Sequence, residues 1–275
     1  MGRQFTIGDS SRGRDVIGGE YRCRVCGLAQ RDAIWGPDGA CPTYDICDCC
    51  GCEFGYEDCL AEAVRNHRER WLAAGANWFE PSAKHPGWDL AEQLESVPRF
   101  YLRILPGLPG DGPVPVQFSA TGRGTHAEGQ VVEFTLASSE KWIGNFQAGV
   151  GGVSTALADP HDRDHAIVVS GGQGYVVASA RRELVRCFGG MITDLLLLPD
   201  QRALLVGNGL WFERIEGGET RWRSRRVSWD GMANVRVEGD RLKGDAYDPM
   251  DDRWAPFELD LDTGEVLGGS YPPEL

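Results

Sequence analysis

The chain has 275 residues, of which 41% are hydrophobic and 25% charged, the balance of an ordinary globular protein with one or two domains. A formal net charge of −13 repels a phosphate backbone unless basic groups are concentrated locally, and no apolar run reaches membrane-spanning length. Nine cysteines without an apolar secretory segment fit reduced thiols and metal ligation in a cytoplasmic protein better than disulfides.

Residues 1–19 are polar and rich in Gly, Arg and Ser, and read as a flexible lead-in. Met1, Gly2 and Thr6 match the loose myristoylation pattern, which chance supplies often. Residues 20–80 form a Cys-rich unit. Within it Cys23-Arg-Val-Cys26-Gly27 and Cys47-Asp-Cys-Cys50-Gly51 stand 20 residues apart. This C-x2-C-x20-C-x2-C spacing is that of a four-thiolate zinc site, because two tight loops can each deliver one pair of ligands to a tetrahedral ion. The glycine after each pair lets its loop close. Cys49 and Cys52 form a competing C-x2-C pair. Cys47 and Cys50 are preferred because Gly51 then follows the second thiolate as Gly27 follows Cys26. Four thiolates leave no open position for water, so the expected Zn2+ is structural. Cys41, Cys49, Cys52 and Cys59 are surplus, read as packing or free thiols, with a second metal as the alternative. A helix is predicted from about Asp58, as its cap, to Ala74, with Leu60, Val64, Trp71 and Leu72 as the apolar stripe and Gly75 ending it.

Cys23-x-x-Cys-Gly, then Tyr44-Asp45-Ile46-Cys47-x-x-Cys50, an acidic-aromatic stretch, and Glu62-Ala63-Val64-Arg65-Asn66-His67 running to Gly75-Ala76 resemble the bacterial cysteine-rich CPCC family over residues 20–78. The first pair here is Cys-Arg-Val-Cys where that family has Cys-Pro-Cys-Cys. The resemblance implies a small zinc-ribbon-like unit in a bacterial protein, with an immunity or accessory role in a toxin system.

Residues 81–115 are Pro-rich and read as a linker, carrying one short helix from Trp88 to Val97. Residues 116–275 change to period-2 patterning and Gly-rich turns. Strands are predicted at Val131 to Leu136, Ala166 to Ser170, Gly174 to Ser179, Ala203 to Val206 and Leu210 to Ile215, punctuated by Gly171-Gly172, Gly189-Gly190, Gly217-Gly218 and Gly268-Gly269. A degenerate repeat of about 37 residues relates the segments at Ile167, Leu204 and Arg241. The expected fold is mainly β: a small α+β zinc-ribbon-like N-terminal domain and an all-β C-terminal domain, propeller-like or a β-sandwich.

Other candidates are weaker. His161-Asp-Arg-Asp-His165 reads as a solvated turn. Arg221, Arg223 and Arg225 share one face if their segment is a strand; the segment reads first as an exposed strand that balances nearby acids, with contact to a partner as the alternative. Gly122-Arg-Gly124 and Gly171-Gly-Gln-Gly174 are turns, not phosphate loops. Asp245, Asp248, Asp251 and Asp252 lack the glycine and terminal glutamate of a calcium loop. Cys187 reads as a buried small residue, and Trp142, Trp211, Trp222, Trp229 and Trp254 as β-core anchors with one or two exposed. No local motif assigns a catalytic residue. The leading expectation is a non-enzymatic, zinc-binding protein-interaction module. A hydrolase working near His161 or His165 in the β domain is the alternative, and a nucleic-acid-binding zinc ribbon the second alternative.

Overall fold

The computed structural model describes residues 19–122, 127–159, 162–198 and 203–273. The lead-in up to residue 18, Gly124 of the predicted turn and His161 lie outside the described residues.

Sixteen strands among the described residues form four four-stranded sheets. Sheet 1 contains β1 (Phe100–Leu105), β2 (Val116–Phe118), β3 (Gln130–Leu136) and β4 (Lys141–Phe146) in the order β1-β3-β4-β2, with β2 parallel to β4. Sheet 2 is a meander of β5 (Thr155–Ala158), β6 (His165–Ser170), β7 (Gln173–Ala178) and β8 (Glu183–Gly189). Sheet 3 repeats that meander with β9 (Asp194–Leu198), β10 (Ala203–Gly207), β11 (Phe212–Glu216) and β12 (Glu219–Arg223). Sheet 4 repeats it again with β13 (Met232–Glu238), β14 (Arg241–Asp248), β15 (Arg253–Asp260) and β16 (Val266–Gly268). The degenerate sequence repeat is the central hairpin of sheets 2, 3 and 4, whose first strands start at residues 165, 203 and 241, a spacing of 38. Gly171-Gly172 closes the first of these hairpins with φ of +50° and +80°, the pair of left-handed residues that a type I′ turn requires.

The sheets pack face to face in chain order. Ala166, Val168, Tyr175 and Val177 of sheet 2 share a core with Phe134, Trp142 and Phe146 of sheet 1. Ile167, Val169 and Val176, on the opposite face, join Leu195, Leu204 and Val206 of sheet 3. Leu196, Leu205 and Phe212 of sheet 3 then pack on Leu242, Phe257 and Leu259 of sheet 4. Strands β6 and β10 are buried on both faces and are continuous apolar runs; β14 alternates buried and part-exposed residues. Its outward residues join a charged layer in which Lys243 pairs with Glu238 and Glu258. A polar outer face ends a stack, as in repeat arrays. No buried cluster among the described residues joins sheet 4 to sheet 1.

The Cys-rich unit lies against sheet 1. It carries α1 (Ala61–Ala73), a 3-10 turn at Pro81–Ala83 and α2 (Leu90–Glu95), the last capped by Asp89, which accepts from the Glu92 amide. Helix α1 starts later than predicted, after an N-cap Leu60 that offers no side-chain bond, and its buried stripe is Ala61, Val64 and Trp71. Leu60 is exposed, and Asp58 is fully buried. The stretch expected to be a linker contains β1, since Phe100, Tyr101 and Leu102 are all buried. Its outer edge is covered by the Cys-rich unit: the Ile104 amide donates to the Asp38 carbonyl at 2.7 Å. Gly19 likewise extends the edge of sheet 2, donating to the Ala156 carbonyl at 3.0 Å. Unpaired strand edges are thereby blocked.

Candidate metal centre

The two cysteine loops fold identically. The Cys23 amide donates to the Leu28 carbonyl and the Gly27 amide to the Cys23 carbonyl, both at 2.9 Å; Cys47 with Cys52, and Gly51 with Cys47, repeat those bonds at the same distance. Gly27 and Gly51 sit at φ of +80° and +72°, which explains why each second thiolate is followed by glycine. In this shared geometry Cys47 and Cys50 occupy the places that Cys23 and Cys26 hold in the first loop.

The loops face each other. Cys23 Sγ lies 3.6 Å from Cys50 Sγ, and Cys26 Sγ 3.6 Å from Cys47 Sγ. The four sulfurs fall within 4.8 Å of one another, and all four residues are buried. Thiolates bound to one tetrahedral ion at zinc–sulfur distance would stand about 3.8 Å apart. These four cysteines could therefore hold a metal ion. Burial pushes the Cys23 thiol up, but the neighbouring thiols of Cys26, Cys47, Cys50 and Cys52 outweigh it and hold Cys23 well below the usual thiol range.

The cradle is held by two helices. From α1, Arg68 donates to the carbonyls of Val25 and Arg24, both at 2.6 Å, and His67 Nε2 lies 3.0 Å from the Cys50 carbonyl. From α2, Gln93 Nε2 donates to the Cys26 carbonyl at 3.1 Å and to Cys49 Sγ at 3.2 Å. Cys49, the alternate ligand, is thus occupied by the element that locks the first loop. The surplus Cys41 and Cys59 are exposed free thiols, and Cys59 donates to the Gly55 carbonyl. Cys187 is half-buried in β8.

Arg24, between Cys23 and Cys26, joins the cysteine cluster to sheet 1. Its guanidinium grips both carboxylate oxygens of Glu20 at 2.7 and 2.6 Å and donates to the Asp58 carbonyl at 3.0 Å. It lies 4.1 Å from the ring centre of Trp35 and 4.3 Å from that of Tyr101. The Asp58 side chain accepts from Trp35 Nε1 at 3.0 Å and from the Gly55 amide at 2.7 Å, so it organises this junction instead of capping α1. Burial pushes the Tyr101 hydroxyl up to about 12, against the pull of Arg24. The folded value exceeds the ordinary value near 10. Below pH 10 both folded and unfolded chains keep this proton. Between pH 10 and 12 only the folded chain does, so stability falls as pH rises, by roughly 2–3 kcal/mol from this residue. Urea titrations from pH 9 to 12 should show a shallower decline for Tyr101→Phe than for the natural chain.

Of the arginines picked from the sequence, Arg221 and Arg223 are exposed on the edge strand β12. Arg223 is already paired with Glu213 at 2.7 Å. Arg225 lies beyond the strand and donates to the carbonyls of Arg226, Tyr271 and Gly268. The three do not form one shared basic face: Arg225 secures the C-terminal segment. His165 begins β6 and pairs with Asp162 at 3.0 Å. A cleft of about 500 Å³ where the Cys-rich unit meets the sheets is lined by Glu20, Asp162 and Asp164 among others. These three acids are engaged by Arg24, His165 and Arg99 respectively. Trp142 is buried and Trp254 exposed, as core and surface tryptophans.

No family model matches this chain, and no curated protein matches it. The CPCC resemblance therefore rests on the motif residues alone. A solved structure titled "Crystal structure of the eukaryotic initiation factor" aligns with 52% of this chain and 40% of that one, at 10% identity and a TM-score of 0.32. The aligned part is under half of that protein, and a likeness this low carries no argument about fold or function. No described helix is long and apolar enough to cross a membrane.

Proposed function

We propose that this protein is a non-catalytic binding protein whose N-terminal unit is folded by a structural zinc ion. The carrying observation is the pair of identical loops that bring four buried thiols to tetrahedral spacing. Cys23, Cys26, Cys47 and Cys50 would be the ligands. Four sulfurs favour zinc among common cytoplasmic ions and fill its coordination, which makes the ion a scaffold.

What that scaffold presents supports a protein partner. Tyr44, Ile46, Tyr56 and Phe79 of the Cys-rich unit are all exposed, Tyr56 at 76%. Tyr44 is held at φ +62°, a conformation that costs a bulky residue about 1–2 kcal/mol. Its neighbourhood is tight: a Cβ built on Gly55 would meet the Tyr44 ring at 3.2 Å. Strain spent on an exposed aromatic fits a contact residue, and tyrosine is common among binding hot spots. The acidic neighbours Asp45, Asp48 and Glu53 would select a basic surface.

The experiment is affinity capture by the full chain from its own host, with the captured protein then purified and titrated. The variant Tyr44→Ser/Tyr56→Ser should bind about thirtyfold more weakly, while keeping its zinc and its melting temperature. Equal binding by both proteins would remove the patch from the reading. A substrate turned over by the purified chain would overturn the non-catalytic assignment.

A further inference from the structure

Beside the four-thiolate cluster stands a second group that could hold a metal: Cys52, Glu57 and His67, whose Sγ, carboxylate and ring atoms lie within 4.8 Å of one another. We propose that these three residues bind a second divalent transition-metal ion, with a fourth position open towards solvent.

The argument starts at His67. Its Nε2 lies 3.0 Å from the Cys50 carbonyl, which can only accept, so Nε2 carries the hydrogen. In the neutral ring Nδ1 is then a lone-pair donor. That atom is buried, has no hydrogen-bond partner, and lies 3.4 Å from Glu57 Oε1. Two electron-pair donors facing each other repel unless a cation lies between them or the imidazole is protonated. A metal-bound histidine whose other nitrogen donates to a backbone carbonyl is the usual arrangement that fixes ring orientation and tautomer.

The other two ligands are positioned with equal care. The Glu57 carboxylate is held by its second oxygen, which accepts from the Glu53 amide at 3.1 Å and leaves Oε1 turned to His67. Cys52 is fully buried, closes the second loop by accepting the Cys47 amide on its carbonyl, and stands beside Cys23 without belonging to the four-cysteine group. Sulfur, nitrogen and oxygen together suit zinc or cobalt. The Glu57 side chain is 31% exposed, which gives the fourth position access to water. The competing arrangement is a plain ion pair between a protonated His67 and Glu57.

The test is stoichiometric titration of the full metal-free chain with Co2+, followed by absorbance, together with zinc counted by elemental analysis. Two ions per chain are expected. The first should give the intense sulfur-to-cobalt charge transfer of four thiolates, the second a much smaller increment from one. Cys52→Ser should bind one ion and keep the first spectrum. Glu57→Gln, which preserves shape and folding, should weaken the second ion at least tenfold. One ion in the natural chain with an intact four-thiolate spectrum would overturn the second site and leave the structural zinc standing. Failure of the first spectrum would overturn the zinc scaffold instead.

Discussion

On the proposed zinc scaffold, Cys26→Ser should release the ion and unfold residues 20–80. A structural zinc contributes on the order of 10 kcal/mol or more to the folding of a small unit, comparable with the whole net stability of a domain. The unit has little else: its core is six buried cysteines with Val25, Ile34, Phe54, Val64, Trp71, Ala76 and Trp78, and Trp35 and Trp88 packed partly buried against it. Serine leaves three thiolates and a poor ligand in a buried site. Melting would then uncover the edge of β1, whose Ile104 amide depends on the Asp38 carbonyl. Sheets 2 to 4 have their own cores and should stay folded. Zinc content, limited proteolysis and hydrogen exchange check this together. Cleavage should concentrate in residues 20–80, exchange should rise in β1, and the later sheets should stay protected. A variant with the zinc and protease resistance of the natural chain would rule out the four-thiolate scaffold.

Arg24→Ala should cost about 3–5 kcal/mol, which for a chain this size is a fall of about 10 °C in melting temperature. Arg24 and Glu20 are each 6% exposed in their side chains and form a forked pair. Removing the cation strands the Glu20 carboxylate, leaves the Asp58 carbonyl without its donor, and opens the space between Trp35 and Tyr101. Lysine should rescue little, since one ammonium cannot span both oxygens and stack between two rings. Glu20→Gln/Arg24→Met should recover part of the loss, because it removes both charges and keeps the volume. Thermal unfolding of the four proteins checks the ranking. A loss under about 1 kcal/mol for Arg24→Ala would show that the junction between the Cys-rich unit and sheet 1 is carried elsewhere.

Much of this architecture is written locally in the chain. The four cysteines that the fold brings together stand at the spacing read from the sequence, and Cys26 and Cys50 are each followed by a glycine at positive φ. Gly171-Gly172 dictates its turn, and the repeat of central hairpins follows from apolar runs and turns at near-constant intervals.

What the tertiary structure decided is every feature made by residues far apart in sequence. Asp58 looks like a helix cap, yet Trp35 and Gly55 claim its carboxylate, because an approaching buried donor outweighs a terminal amide that water can satisfy. Phe100 to Leu105 look like part of a proline-rich linker, yet pairing with β3 and burial make them a strand. Arg225 looks like part of a basic strand face, yet carbonyls of the C-terminal segment capture it. Glu57 and His67 carry no motif with Cys52; the only trace in the sequence is a cysteine left over once the four ligands are chosen. Their meeting depends on where α1 lies across the second loop. Periodicity and spacing specify what the chain does with its neighbours over a few residues, and packing alone specifies which distant polar groups must satisfy one another.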